Sequence, residues 1–224
     1  MLPKTGIEYL DRVYNPIKGR CPTDCWFCYM KRPPSSWSVN TNPTLRLQEK
    51  TLYDHFPKEP SHIGVGFNIE LFHPEIPREW IRRIIAVIEV RGQDHMFIFL
   101  TKFPERYAEF DFPKNCWLGV TVTNQYDRNY RTVEFFKATK GKENLLFVSL
   151  EPYLEDMSAW GFNFADISWL IIGALTGPKA KEYRPKREWI KRHVEEYRIA
   201  GKPIFLKDNI ASIWGDKLIQ EMPE

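Results

Sequence analysis

Three thiols crowd one short stretch, Cys21-Pro-Thr-Asp-Cys25-Trp-Phe-Cys28, with the spacing C-x3-C-x2-C. Thiolates this close on one loop can hold three irons of a cubane [4Fe-4S] cluster. Ferredoxin-type clusters use four cysteines, and the remaining one, Cys116, lies far downstream beside the apolar run Trp117-Leu-Gly-Val. It reads as a small buried hydrophobe. An iron without a protein ligand keeps an open position, as catalytic metals do and structural metals do not. Two other chemistries draw on the same residues. A Cys3His zinc site would need His55, His62 or His73, but such motifs usually come as paired C-x2-C knuckles. A redox Cys25-x-x-Cys28 pair normally follows a strand and opens a helix without a further cysteine upstream. Clustered thiols in a reducing compartment are more often metal ligands or redox groups than disulfides.

The elements that must position these thiols alternate along the chain. Short apolar runs recur at His62–Phe67, His95–Leu100, Cys116–Val122, Leu145–Leu150, Trp169–Ala174 and Pro203–Leu206, with a weaker one at Ile17–Arg20. Near-continuous runs of this length suit strands buried on both faces of a parallel sheet. Helical patterns lie between them. One opens at Pro77 and uses Trp80, Ile81, Ile84, Ile85 and Ile88. A second spans Gln125 to Thr139 with an apolar face of Tyr126, Tyr130, Val133 and Phe136; a third runs from Pro185 to a stop at Gly201. Strand–helix alternation means βαβ units and a parallel sheet, and six or seven strands predict an α/β open or partial barrel. Lys31–Thr51, with its prolines and serines, reads as a loop crossing a sheet edge.

Ligands of such folds lie beyond the carboxyl ends of the strands. The positions there are Asn68 and Glu70; Thr101 and Lys102; Thr121, Thr123 and Asn124; Ser149 and Glu151; Thr176; and Lys207, Asp208 and Asn209.

Composition bounds the rest. The 224 residues, 43% hydrophobic, 15% aromatic and 27% charged, make an ordinary globular chain. A single domain over 1–224 is expected, with a cluster loop at 21–28 and a short C-terminal extension over about 203–224. A chain of this size buries roughly 70–75% of its unfolded surface, so it needs no staple to hold a core. No apolar run approaches the ~20 residues of a membrane span, and the first residues lack the apolar stretch of a signal peptide. A cytoplasmic protein without membrane contact is therefore expected. The net charge of +3 permits nucleic-acid contact without arguing for it. The basic residues Lys179, Lys181, Arg184, Lys186, Arg187, Lys191 and Arg192 are interleaved with Glu182 and Glu188, which suits a solvated helix face at least as well as a nucleic-acid surface.

With Phe27 as its aromatic, C-x3-C-x-aromatic-C resembles the signature of the radical S-adenosylmethionine (SAM) superfamily, whose fold is a partial (β/α)6 barrel. The chain also resembles a narrower phage-associated radical-SAM-like family that occurs in bacteria and archaea. The likeness rests on Tyr14-Asn-Pro-Ile-Lys-Gly-Arg-Cys21, Glu70-Leu-Phe-His-Pro-Glu-Ile-Pro77, Leu100-Thr-Lys-Phe-Pro-Glu-Arg106, Trp117-Leu-Gly-Val-Thr-Val122, Ser149-Leu-Glu-Pro152 and Trp169-Leu-Ile-Ile-Gly173. Where family members carry a Ser-rich segment with an Asp, this chain has Phe67-Asn-Ile-Glu70.

The resemblance implies that Cys21, Cys25 and Cys28 hold a [4Fe-4S] cluster and that SAM chelates the fourth iron. An external one-electron donor of the flavodoxin or ferredoxin type would trigger reductive cleavage of SAM and hydrogen-atom abstraction from a substrate, possible targets including nucleic acid or nucleotide. It places Asn68 and Glu70 at the SAM amino group. Thr101, Lys102, Thr123, Asn124 and Ser149 become candidates for the rest of the cofactor, and Phe27 and Trp26 for adenine packing. Glu151 and Lys207 become candidate catalytic residues. The alternative class is a non-catalytic Fe–S or zinc protein with a structural or electron-transfer role.

Overall fold

The computed structural model describes residues 1–31, 43–157 and 167–224. Its main sheet has seven strands, all parallel: β1 (Arg12–Tyr14), β4 (His62–Val65), β5 (Met96–Thr101), β6 (Cys116–Thr121), β7 (Leu145–Leu150), β8 (Trp169–Ile172) and β9 (Ile204–Leu206), in that spatial order. Between β1 and β4 lie a two-stranded antiparallel ribbon, β2 (Ile17–Lys18) with β3 (Arg46–Leu47), and a short helix, α1 (Glu49–Leu52). The longer helices are α2 (Arg78–Arg91), α3 (Gln125–Thr139) and α4 (Arg187–Ile199); α5 (Ala211–Trp214) is a single turn. The sheet curls into a half-barrel, the partial-barrel architecture that the strand and helix pattern predicts.

Side chains alternate across the sheet, as the pleat requires. Phe97, Phe99, Leu118, Val120, Val148, Leu150, Leu170, Ile172, Ile204 and Leu206 face one core, with Ile81, Ile84, Ile88, Phe135, Ile190 and Val194 of the helices. Ile98, Trp117, Phe147, Trp169, Ile171 and Phe205 face the other, where Tyr9 and Leu10 complete the packing. Burying each such side chain contributes roughly 1.5–3 kcal/mol. Two-sided burial explains why the strands read as unbroken apolar runs. On the inner face rings meet edge to face, Trp169 lying 5.5 Å from Tyr9 and 5.7 Å from Trp117.

The structure corrects several expectations. The opening strand of the sheet is the short, polar Arg12–Tyr14, not Ile17–Arg20; Ile17 and Lys18 belong to the ribbon instead. The stretch expected as a loop over Lys31–Thr51 contains β3 and begins α1, while residues 32–42 fall outside the described residues. The segment from 203 is only in part an extension. β9 is a sheet strand, and the chain after it doubles back, with Leu206 N–H bonded to Ile219 O and Glu221 N–H to Ile204 O, which covers the sheet edge. In α3 the expected apolar face is turned outward. Tyr126, Tyr130 and Val133 are exposed, while Asp127, Thr132, Phe135 and Ala138 are buried. The cause is polar: Asp127 accepts from the backbone and hydroxyl of Thr123 and from Arg131, so a carboxylate is satisfied inside and the helix rolls to suit it.

The ring tip of Phe147 reaches over Gly119 on the neighbouring strand, where an added Cβ would come within 2.1 Å of it. Gly119→Ala should therefore destabilise the fold by about 1–3 kcal/mol, measured as a lower urea midpoint at unchanged slope. A neutral result would mean that the two strands do not pack as described.

Candidate active site

The cysteine loop follows β2 and ends in the tight helical turn Tyr29–Lys31. Asp24 organises it from a left-handed conformation (φ 49°), a region that Asp tolerates better than most residues. Its carboxylate pairs with Lys31 and Arg20 at 3.0 Å each, and those two cations hold its pKa below the ordinary value. Cys28 N–H bonds back to Cys25 O and Lys31 N–H to Cys28 O. All three thiols of the loop are free and half-buried. Cys116 is fully buried in the middle of the sheet, and burial pushes its pKa up to about 12, so it stays a neutral thiol rather than a thiolate ligand.

The loop touches the end of β4. Glu70 N–H donates to Cys21 Sγ at 3.3 Å, the kind of hydrogen bond that steadies a metal-bound thiolate. Cys25 is raised by burial, a rise that the ammonium of Lys102 opposes and the neighbouring Cys28, Cys21 and Glu70 reinforce. Among the described residues no three His, Cys, Asp or Glu side chains converge on one ion position. His62 packs against Trp117 in a tilted ring contact and lies beside Asp11, and His73 packs on Phe103. The donor set therefore fits an iron–sulfur cluster bound by three cysteines.

Beside the thiols, Glu70 is buried and fully engaged. Thr101 Oγ1 donates to one carboxylate oxygen at 2.5 Å and Lys102 N–H to the other at 3.0 Å, with Phe72 N–H and the Lys102 ammonium slightly farther off. Arg106 fixes the loop behind it by donating to the carbonyls of Phe72, His73 and Ile76. Asn68 donates through Nδ2 to Ile17 O at 3.3 Å. Its Oδ1 is buried without a partner, as are Asn15 Oδ1 just after β1 and Thr23 Oγ1 inside the cysteine loop. Buried polar atoms are almost always hydrogen-bonded, so these oxygens are open to a donor from a ligand or a water. Spacing alone does not single out Asn15 or Thr23.

A second constellation ends β7 and β9. Lys207 Nζ lies 3.0 Å from Glu151 and 3.3 Å from Glu8. Ser149 Oγ donates to Glu151 at 2.9 Å, and Tyr9 O–H reaches the same oxygen at 3.5 Å. Gly173 makes room, since a Cβ there would meet Glu151 at 2.6 Å. Burial pulls the Lys207 pKa down, but the carboxylates of Glu151 and Glu8 outweigh it and leave the value raised. Glu8 and Tyr9 escape sequence reading because they precede every strand and carry no motif.

The other candidates take different places. Asn124 caps α3, accepting from Asp127 N–H, and the Thr123 hydroxyl donates to the Asp127 carboxylate. Both side chains thus serve the helix start. Asn209 bonds the backbone N–H and carbonyl of Ala174, tying β9 to β8, and Asp208 accepts from Gln220. Phe27 packs on Trp26, which is half exposed and meets Tyr183 at 5.1 Å and Lys179 at 5.3 Å. The basic stretch is therefore divided. Its start folds onto the cysteine loop, while Arg187, Lys191 and Arg192 pair with Asp216, Glu195 and Asp156.

Residues 4–220 match the family described as protein of unknown function DUF5131. The chain belongs to that family. No curated protein matches this DUF5131 chain. Among solved structures it is similar to spore photoproduct lyase complexed with dinucleoside spore photoproduct, at TM-score 0.53 and 12% identity over 88% of this chain. A cysteine-to-serine variant of that lyase gives 0.55 and 11% over 88%, and a double variant with bound AdoMet and dinucleoside spore photoproduct gives 0.53 and 11% over 87%. In each case the chain spans 64% of the lyase. Likeness at this identity shows the fold. No described helix is long and apolar enough to cross a membrane.

Lys207 provides a stability test. Its folded pKa is raised, so its pairing contributes fully below the unfolded lysine value of about 10.4 and drains away as pH climbs through the folded value. At pH 7, Lys207→Met should cost roughly 3 kcal/mol, because two carboxylates lose their shared cation in a mostly buried place. The gap between wild type and variant in urea unfolding should narrow toward pH 11. A gap that does not change with pH would show that the ammonium is not held by the pair.

Proposed function

We propose that this protein is a radical SAM enzyme. The observation that carries the reading is the cysteine loop at the mouth of a parallel half-barrel, with a backbone N–H already aimed at Cys21 Sγ. Cys21, Cys25 and Cys28 would hold three irons of a [4Fe-4S] cluster, and SAM would lie between them and the ends of β4 and β5. When bound, cluster and cofactor together supply one-electron cleavage of a sulfonium and hydrogen-atom abstraction. The chain binds, orients and excludes water. Lys102, close to Cys25 and Glu70, sets a positive charge beside the thiolates and offers a partner to a ligand carboxylate. The rings of Trp117, Phe147 and Trp169 close the barrel floor to solvent. Across the mouth, Lys207 is held as an ammonium between Glu151 and Glu8, with Ser149 and Tyr9 keeping Glu151 in place.

The substrate we favour is a nucleic acid or nucleotide. Support comes from the dinucleoside spore photoproduct complexed with the structurally similar lyase. It comes also from Trp26, Tyr183 and Lys179, an aromatic pair with a cation of the kind that holds an unstacked base and its backbone. A flavodoxin- or ferredoxin-type donor would deliver the electron.

Anaerobically reconstituted protein should contain about four irons with visible cluster absorption. With a reductant it should convert SAM to 5′-deoxyadenosine and methionine. Alanine at Cys21, Cys25 or Cys28 should remove the iron, whereas Cys116→Ala should retain it. A cluster that never cleaves SAM, or zinc in its place, would establish the structural or electron-transfer alternative. For the substrate class, log K for a single-stranded oligonucleotide should fall linearly with log salt, and Lys179→Glu with Lys181→Glu should flatten that slope. Absence of binding at about 50 mM salt would remove the nucleic-acid reading.

A further inference from the structure

Positive charge is gathered around the cysteine loop. Residues 12–48 hold six Lys and Arg but a single acid, Asp24, while the rest of the chain carries slightly more acid than base. Two of these cations bracket the thiols. Arg20 precedes Cys21 in the chain, and Lys31 N–H donates to Cys28 O. They share the one carboxylate of Asp24 and keep much of their side chains in solvent.

The ribbon that leads into the loop adds two more. Lys18 and Arg46 stand directly opposite each other across β2 and β3, and directly opposed side chains of an antiparallel pair share a face. Ile17 is buried in the core and Leu47 packs against it. Strand alternation therefore turns Lys18 and Arg46 away from the core. Burial and the facing Arg46 hold the Lys18 pKa below the ordinary lysine value, and no carboxylate acts against them. Nor does the chain from 25 to 48 contain an Asp or Glu that could. Like charges opposed across a strand pair destabilise it, and a ribbon that only carried the loop would have no use for them.

The patch has charge without rings, since β2 and β3 contain no aromatic residue. Surfaces for single-stranded nucleic acid combine cations with stacking rings, and that combination lies instead at Trp26, Tyr183 and Lys179. Complementary charge speeds encounter more than it strengthens a complex, and electron-transfer partners meet through small, weak interfaces. A protein that must approach the cluster ligands, deliver an electron and leave matches such a surface.

We propose that Lys18, Arg20, Lys31 and Arg46 form the docking face for a one-electron carrier protein with a carboxylate-rich surface. One electron leaves the docked carrier and enters the cluster; the carrier is oxidised and the cluster reduced by one equivalent, and no bond forms or breaks. The inference rests on the reading that Cys21, Cys25 and Cys28 hold a redox-active cluster, and adds the surface through which that cluster is reduced.

The test uses the cluster-loaded protein and an acidic flavodoxin. Calorimetry with oxidised flavodoxin at low salt should show binding that weakens as salt is raised. Lys18→Glu with Arg46→Glu should weaken it by about 10–100-fold and slow cluster bleaching by reduced flavodoxin. Photoreduced deazaflavin, a small donor that needs no docking face, should bleach variant and wild type alike. Lys18→Gln with Arg46→Gln, which removes the opposed charges without reversing them, should give an intermediate affinity at an undiminished urea midpoint, separating loss of docking from loss of fold. Unchanged flavodoxin affinity in the glutamate variant would overturn the proposal, and loss of oligonucleotide binding in its place would reassign the face to nucleic acid. A wild-type cluster that deazaflavin reduces but flavodoxin neither binds nor reduces would overturn it too. A protein that holds no cluster, or whose cluster deazaflavin cannot reduce, would instead sink the radical SAM reading, and the inference with it.

Discussion

A single buried carboxylate joins the parts of the chain that carry the chemistry. Glu70 bonds through its side chain to the end of β5 and through its backbone N–H to Cys21. Cutting a buried charge loose from its donors costs several kcal/mol, so the loop after β4 has one place to sit. Arg106 holds the far side of that loop by three carbonyls and is itself neutralised by Glu109. The thiol loop is thus referenced to the rigid sheet rather than left on a free turn, the condition a preorganised site needs.

The sheet makes a similar demand on the other side of the mouth. An open parallel sheet leaves two edges, and here Lys4 pairs with Arg12 of β1 while Gln220 pairs with Phe205 of β9. Tyr9 and Leu10 fill the concave face between Gly64 and Phe205, while Ile219 to Glu221 run back along β9. Glu8 arrives beside Lys207 as a result of that packing. The ion group of Glu8, Lys207 and Glu151 therefore ties the start of the chain to the ends of β7 and β9.

The aromatic and cationic residues at the rim complement this. Trp26 sits between Cys25 and Cys28 in the thiol loop yet is held by Tyr183 and Lys179 from the segment after β8. A ligand that lies on Trp26 reads both loops together. Tyr126 and Tyr130, stacked and exposed at the start of α3, show that the outward roll of that helix places more aromatic surface in solvent.

The sequence alone determined what is local in the chain. The C-x3-C-x2-C spacing defined the thiol loop, and unbroken apolar runs located six strands, because two-sided burial leaves no polar alternation. Gly201, left-handed at φ 64°, ended α4 as expected. Contacts between distant segments were decided by the tertiary structure alone. The strand Arg12–Tyr14 is too short and polar to signal itself, and it exists because β4 pairs with it. The buried face of α3 follows from Asp127 meeting Thr123 and Arg131, which hydropathy ranks as exposed residues. Glu70 could be named from its position, but only the fold shows that its oxygens are taken and that Asn15 and Asn68 are left with acceptors to spare. Spacing reports what a residue can do; the partners that satisfy it come from elsewhere in the chain and are set by packing.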